Sequence, residues 1–152
     1  MELYAAVYAE APYCEGPEDV AAFAARLPEE VRRPRFALVG AFAGDRLGGV
    51  AYGWHLPSGE WFGGTVEEPP AAVRQLAKFV VMEWQVLTAY RNAGVGRALI
   101  SALLADRPEP VAILAADPRA AARAVYARAG WQRCGALALS TGAVMDVLFL
   151  TL

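Results

Sequence analysis

The chain has 152 residues, room for one domain with a proper core and not comfortably for two. Hydrophobic residues make up 57% of it and charged residues 20%, which excludes a disordered polypeptide. The formal net charge of -2 offers no footprint for nucleic acid and leans weakly towards a cationic acceptor.

Leu3, Ala6 and Val7 fall at helical spacing, so the chain begins with a helix. Pro12 to Gly16 is a break. Pro17 suits a first helical position, and Glu18 and Asp19 complement the dipole there. Val20, Phe23, Ala24 and Leu27 predict an amphipathic helix stopped by Pro28. Phe36 to Phe42 and Leu47 to His55 read as two strands, joined at Gly44-Asp45 into an antiparallel hairpin. Pro57 to Pro70 reads as a long loop whose Trp61-Phe62 pair covers something. Ala71 to Leu76 is a short helical turn.

Phe79 to Leu87 is a near-continuous apolar run, consistent with a central buried strand. Val95, Ala98, Leu99, Ala102 and Leu103 repeat at helical spacing. Ile100 and Leu104 widen the stripe, so this helix should be buried on most faces. Val111 to Ala115 is the next strand. Asp117-Pro118 predicts the start of another helix, with a stripe of Ala121, Ala122, Val125, Tyr126 and Ala129 and a stop at Gly130. Trp131 to Leu139 and Val144 to Leu152 close the chain as two strands around Ser140-Thr141-Gly142. The central strand–helix–strand unit implies a parallel pair.

Other features narrow the class. No apolar run is long enough to span a bilayer, because glycine and charge interrupt each one. The N-terminus lacks the order of a signal peptide. Cys14, Cys134 and the single His55 have no metal-like spacing, so no metal site is expected. Two free thiols in a reducing, cytoplasmic compartment are the default. The Ala- and Arg-rich texture points to a bacterial source. No Gly-x-Ser-x-Gly elbow and no Gly-Lys-Ser/Thr phosphate loop occurs.

Tyr90-Arg91-Asn92-Ala93-Gly94-Val95-Gly96-Arg97 sits where a strand hands over to a helix N-terminus. Free backbone N–H groups and the positive end of the helix dipole make such a place a seat for phosphate. Glycines at 94 and 96 let the backbone approach a ligand. Arg91 and Arg97 can add charge-assisted bonds. The same residues also fit a plain strand-to-helix turn with surface arginines.

The spacing Arg-x-x-Gly-x-Gly over Arg91 to Gly96 resembles the acyl-CoA pyrophosphate loop of the GNAT superfamily of N-acetyltransferases. Downstream, Ala122 to Trp131 resembles the family's Ala-x-x-x-Tyr-x-x-x-Gly-aromatic signature, at the right distance. Val144 to Leu150 looks like the last family strand. The resemblance covers nearly the whole chain, read as a single domain over residues 1–152. It implies a mixed α/β fold with a mostly antiparallel central sheet. One parallel strand pair splays at the cofactor site, and about four helices complete the fold. The family's first strand has no counterpart, being either absent or trimmed. Thr88 stands where many relatives have Pro, and Arg119 where many have an Asn that helps hold the pantetheine arm.

The resemblance implies direct acetyl transfer from acetyl-CoA to a primary amine of a small molecule or peptide. Backbone N–H groups at Gln85, Val86 and Leu87 would polarise the thioester. Arg91, Asn92, Ala93, Gly94, Val95, Gly96 and Arg97 would hold the pyrophosphate, with Arg119 near the pantetheine. A lysine-like amine has a pKa near ~10.4, so a base must take its proton. Glu83, the only carboxylate in the Phe79 to Leu87 run, is the candidate; the plain alternative is a strand charge paired with an arginine. Tyr126 matches the family's general-acid position, or is a half-buried core tyrosine. Proton transfer from a phenol to a thiolate is uphill by about two kcal/mol in water.

Tyr52, Trp54, Trp61, Phe62 and Trp84 could line an acceptor pocket, though packing roles suit most of them better. His55 reads as an exposed histidine and Asp146 as structural. The neutral loop positions and Arg119 keep open a second reading, a non-catalytic acyl-CoA-binding or partner-binding module. An unrelated mononucleotide-binding protein would need a longer alternation of parallel strands and helices. The acceptor's identity and any homodimer stay undetermined at this level.

Overall fold

The computed structural model describes residues 1–152. In chain order the elements are α1 (Glu2–Tyr8), α2 (Pro17–Val31), β1 (Ala37–Ala43), β2 (Arg46–Leu56), β3 (Thr65–Glu67), α3 (Ala71–Arg74) and β4 (Lys78–Val86). A 3₁₀ turn (Thr88–Tyr90), α4 (Val95–Leu104), β5 (Val111–Ala116), α5 (Ala122–Arg128), β6 (Gln132–Ala138) and β7 (Val144–Thr151) follow. One sheet takes the strand order β1-β2-β4-β5-β7-β6-β3. Its β4–β5 pair is parallel, whereas β1–β2, β5–β7, β6–β7 and β3–β6 are antiparallel. No helix is long and apolar enough to cross a membrane. Contacts gather in two compact units, Met1–Trp54 with Val81–Asp106, and His55–Val80 with Arg107–Leu152.

In the first unit, Tyr4, Phe23, Tyr52 and Trp54 form the buried core, with Tyr8, Val20, Leu27 and Phe36 packed against it. The rings of Tyr4 and Phe23 stack at 3.9 Å. The predicted hairpin is present, with Ala43 opposite Arg46 across its turn. α2 begins as expected, Pro17 entering after Gly16, whose N–H donates to Asp19 Oδ2 at 2.9 Å. It does not stop at Pro28 but continues to Val31. An interior proline costs a helix about 3 kcal/mol or more. The last turn is held instead by Glu30, which accepts from Arg26 Nε at 3.0 Å and from Tyr52 Oη at 2.5 Å. α4 buries one face, Leu99, Ile100 and Leu103, and leaves Ala98 and Ala102 exposed, so it is less enclosed than its apolar composition predicts.

In the second unit, β5 runs parallel to the start of β4 (Lys78 opposite Val111) and antiparallel to β7. The Pro57 to Pro70 segment is not all loop: Thr65–Glu67 forms β3 beside β6. Trp61 and Phe62 pack on the buried Cys134, Leu137 and Val147, which is what they cover. Cys14 and Cys134 are free thiols, and burial pushes Cys134 up to about 11. The last helix starts at Ala122 rather than at Asp117-Pro118. The Asp117 carboxylate instead accepts from the Arg119 backbone N–H at 2.8 Å, closing a local turn that delays the helix.

Gly64 has φ +71, and a Cβ there would lie 2.5 Å from the Ala138 carbonyl oxygen. Gly64→Ala is therefore expected to destabilise the fold by about 3 kcal/mol, combining left-handed backbone strain with overpacking. Urea unfolding reads this as a lowered midpoint at constant m; an unchanged midpoint would contradict the close approach of β3 to β6.

Candidate active site

The site is organised by β4. Side chains alternate across a strand, so Glu83 and Gln85 share one face while Trp84 and Val86 take the other. On the Trp84 face, the indole Nε1 donates to the Gly96 carbonyl in the first turn of α4 at 3.0 Å. That bond ties the strand to the glycine loop.

The loop has the geometry of an anion seat. Asn92 has φ +61 and Gly94, the N-cap of α4, has φ +81, so left-handed residues punctuate the turn. A Cβ at Gly94 would meet nothing within 4 Å, leaving its approach open. The Tyr90 and Arg91 amides bond to the carbonyls of Leu87 and Thr88, whereas no backbone acceptor within the turn engages the amides of Asn92 to Arg97. The first turn of α4 carries no acidic residue, and Arg97 stands exposed there without an ion pair. A cation at a helix N-terminus opposes the dipole, an arrangement that suits an incoming anion.

Arg91 is differently placed from the expectation. Its Nε donates to the Val86 carbonyl at 2.9 Å and its Nη1 to Glu10 Oε2 at 2.6 Å. Glu10 also accepts from the Thr88 hydroxyl, and these two partners hold its carboxyl below the usual carboxylate range. Arg91 thus acts first as a strut between the end of α1 and the loop, and its charge is already matched.

The three strand amides expected to polarise a carbonyl are not equivalent. Leu87 N–H donates to Gly48 O at 2.9 Å, so it is spent on β2. Strand alternation turns the Gln85 amide to the same side and the Val86 amide to the opposite edge. On that edge the ladder with β5 stops at Val80, opposite Ile113, while β4 continues to Val86. Gln85 contributes its side chain instead, Nε2 donating to Glu83 Oε2 at 2.8 Å.

Glu83 is 4% exposed. Its Oε2 also accepts from Tyr8 Oη at 2.6 Å, and its Oε1 from Arg26 Nη2 at 3.0 Å. Burial pushes its carboxyl above the ordinary range, against the opposing pull of Tyr8, Gln85 and Arg26. The expected arginine partner is real, but one guanidinium serves two carboxylates, Glu83 and Glu30. Tyr4 and Tyr52 stay protonated donors, to Glu15 at 2.6 Å and Glu30 respectively, and burial raises both phenols. Tyr4, Tyr8, Arg26 and Glu30 were not singled out in the sequence. The pairs Tyr4/Tyr8 and Arg26/Glu30 at i,i+4 are the signal that each shares a helix face.

The remaining candidates lie elsewhere. Tyr126 belongs to α5 in the second unit, its ring 6.4 Å from that of Trp131. Arg119 chelates Asp117, its Nη2 donating to Oδ2 at 2.6 Å, and so is engaged locally. Tyr52 and Trp54 are core residues, Trp61 and Phe62 cover the second core, and Trp84 anchors α4. His55 is not an exposed histidine: its Nδ1 lies 2.8 Å from Oε1 of the buried Glu109. Asp146 is structural, bonded to Arg133 and Arg123.

The sequence matches no family model and no curated protein. The fold does match solved structures. A protein from Desulfovibrio desulfuricans assigned to the GNAT family of acetyltransferases aligns with TM-score 0.64 and 18% identity, over 90% of this chain and 83% of that one. An aminoglycoside 6'-acetyltransferase type Ii aligns at 0.64 and 19%, over 99% and 85%. An aminoglycoside 6'-N-acetyltransferase complexed with coenzyme A aligns at 0.64 and 15%, over 99% and 88%. The chain has the GNAT fold.

Trp84→Phe removes the indole bond to Gly96. It is expected to cost about 1–2 kcal/mol and to raise amide exchange in the first turn of α4. Wild-type exchange at that turn would show that the strand does not hold the loop.

Proposed function

We propose that this chain, built on the GNAT fold, is an acetyl-CoA-dependent N-acetyltransferase acting by direct transfer on a primary amine of a small molecule or peptide. The observation that carries the reading is the turn from Asn92 to Arg97, with amides uncommitted within the turn, an open left-handed glycine and an unpaired arginine at the start of α4. These are donors in the number and placement that a diphosphate needs. Acetyl-CoA, when bound, supplies the phosphates and the thioester carbonyl. The Val86 amide is the donor assigned to that carbonyl, because Leu87 and Gln85 turn towards β2.

Glu83 is assigned the role of base. Its carboxyl, pushed up by burial and pulled back in part by Tyr8, Gln85 and Arg26, is better matched to an amine proton than an ordinary carboxylate. Tyr126 is assigned as the donor to the departing thiolate, and Arg119 as a neighbour of the pantetheine arm, both on family resemblance. The solved relatives that act on aminoglycosides make a polyamine-bearing small molecule one natural acceptor class.

A second reading is a non-catalytic acyl-CoA-binding module. The Arg26–Glu83 ion pair favours it, since a carboxylate held by a guanidinium is a weaker base.

Two measurements separate the readings. Calorimetric titration with acetyl-CoA should show binding that Arg97→Glu weakens tenfold or more; no binding at millimolar acetyl-CoA would contradict both readings. With an amine panel, CoA release should fall about 10²–10⁴-fold in Glu83→Gln while acetyl-CoA affinity is retained. Binding without release for any amine would leave only the module.

A further inference from the structure

We propose that Tyr8 is a catalytic residue, the relay through which the acceptor amine delivers its proton to Glu83. The inference rests on the acetyltransferase reading and adds to it a group outside the sequence motifs.

Glu83 cannot easily be reached directly. It is 4% exposed, and both oxygens are occupied: Oε1 by Arg26, Oε2 by Tyr8 and Gln85. An arginine stays charged at all working pH values, and a primary amide exchanges no proton on this scale. The phenol is the one partner of Glu83 that donates and accepts through the same atom, so a proton can enter and leave at its oxygen. Its bond to Oε2, at 2.6 Å, is in the range of a charge-assisted O–H···O contact. Tyr8 is the last residue of α1 and only half-buried, whereas Tyr4 and Tyr52, the other core phenols here, are buried. Their hydroxyls point to Glu15 and Glu30 instead of Glu83. Edge contact with Tyr13 at 4.9 Å and tilted contact with Tyr4 at 4.5 Å hold the Tyr8 ring in place.

The step balances. One N–H bond of the acceptor ammonium breaks and an O–H bond forms at Tyr8 Oη. The original Tyr8 hydroxyl proton passes to Glu83 Oε2. The amine is left neutral, with the lone pair it needs to attack the thioester carbonyl, and Tyr8 ends as it began. The two shifts occur together, so neither a phenolate nor a protonated phenol forms, and the net transfer runs from the ammonium to the Glu83 carboxylate through the phenol oxygen. The charged groups around the relay are Glu83 and Arg26, with Glu30 and Glu15 behind them. Arg26 Nη2 donates to Glu83 Oε1 at 3.0 Å and favours the charged carboxylate against burial, and Gln85 fixes the rotamer of the accepting oxygen.

The test uses the full chain, acetyl-CoA and the best amine of a panel. Tyr8→Phe should lower kcat/KM for the amine about 10²-fold, with acetyl-CoA affinity changed less than twofold. A proton inventory in H₂O/D₂O mixtures should be curved in the wild type, two protons being in flight, and flat or linear in Tyr8→Phe. Incorporation of 3-fluorotyrosine in place of Tyr8 keeps the shape and lowers the phenol pKa; it should move the alkaline limb of the rate profile to lower pH. That variant also decides the matter if Tyr8→Phe misfolds. Wild-type turnover and curvature in Tyr8→Phe, or an unmoved limb in the fluorinated protein, would overturn the relay and leave the acetyltransferase reading standing. A wild type that binds acetyl-CoA yet acetylates no amine would overturn both.

Discussion

The alternation of β4 is the constraint on which the rest of the site depends. A strand sends successive side chains to opposite faces, so one short segment can serve two unlike tasks. Glu83 and Gln85 project to the face where Tyr8 and Arg26 meet them. Trp84 projects to the other face and grips the carbonyl of Gly96. A one-residue slip in register would exchange the two sets, burying the indole among carboxylates and removing Glu83 from its donors. The unlike partners of the two faces hold that register, Tyr8 and Arg26 on Glu83 and Gly96 on Trp84, while Phe79, Val80 and Val81 are almost fully enclosed.

Charge balance is the second constraint. A carboxylate as enclosed as Glu83 is costly unless it is paired and hydrogen-bonded. Three donors, one of them a shared guanidinium, meet that need, yet one cation for two carboxylates leaves the cluster short of positive charge. Burial is the chief reason that the Glu83 carboxyl sits above its ordinary range, and the neighbouring Glu30 adds to it. In the loop the balance runs the other way. Glu10 matches Arg91, but nothing matches Arg97, so the start of α4 keeps an excess of positive potential.

Much of this architecture is legible in the sequence because it is local. The hairpin at Gly44-Asp45, the Pro17 helix start and the glycine turn at 94 each depend on backbone preferences within a few residues. The misreadings come from partners distant in sequence. α2 runs past Pro28 because Tyr52 holds Glu30, and β3 exists because β6 offers it an edge. The start of α5 moved for a local reason, Asp117 preferring its own turn to a helix cap. At the site, Glu83 and the loop could be picked out by residue type and spacing. Tyr8 and Arg26 could not, since only packing of α1 and α2 brings them to a strand far along the chain. The fate of Arg91 was hidden for the same reason: its partner Glu10 lies 81 positions away.

The central claim is that main-chain amides at the mouth of α4 bind a diphosphate. Backbone ¹⁵N–¹H spectra recorded during titration with CoA address it most directly. The account predicts that the Asn92, Ala93, Gly94, Val95, Gly96 and Arg97 resonances shift together, move downfield as their N–H groups gain acceptors, and become protected from exchange. Saturable CoA binding that leaves those amides where they were would contradict it.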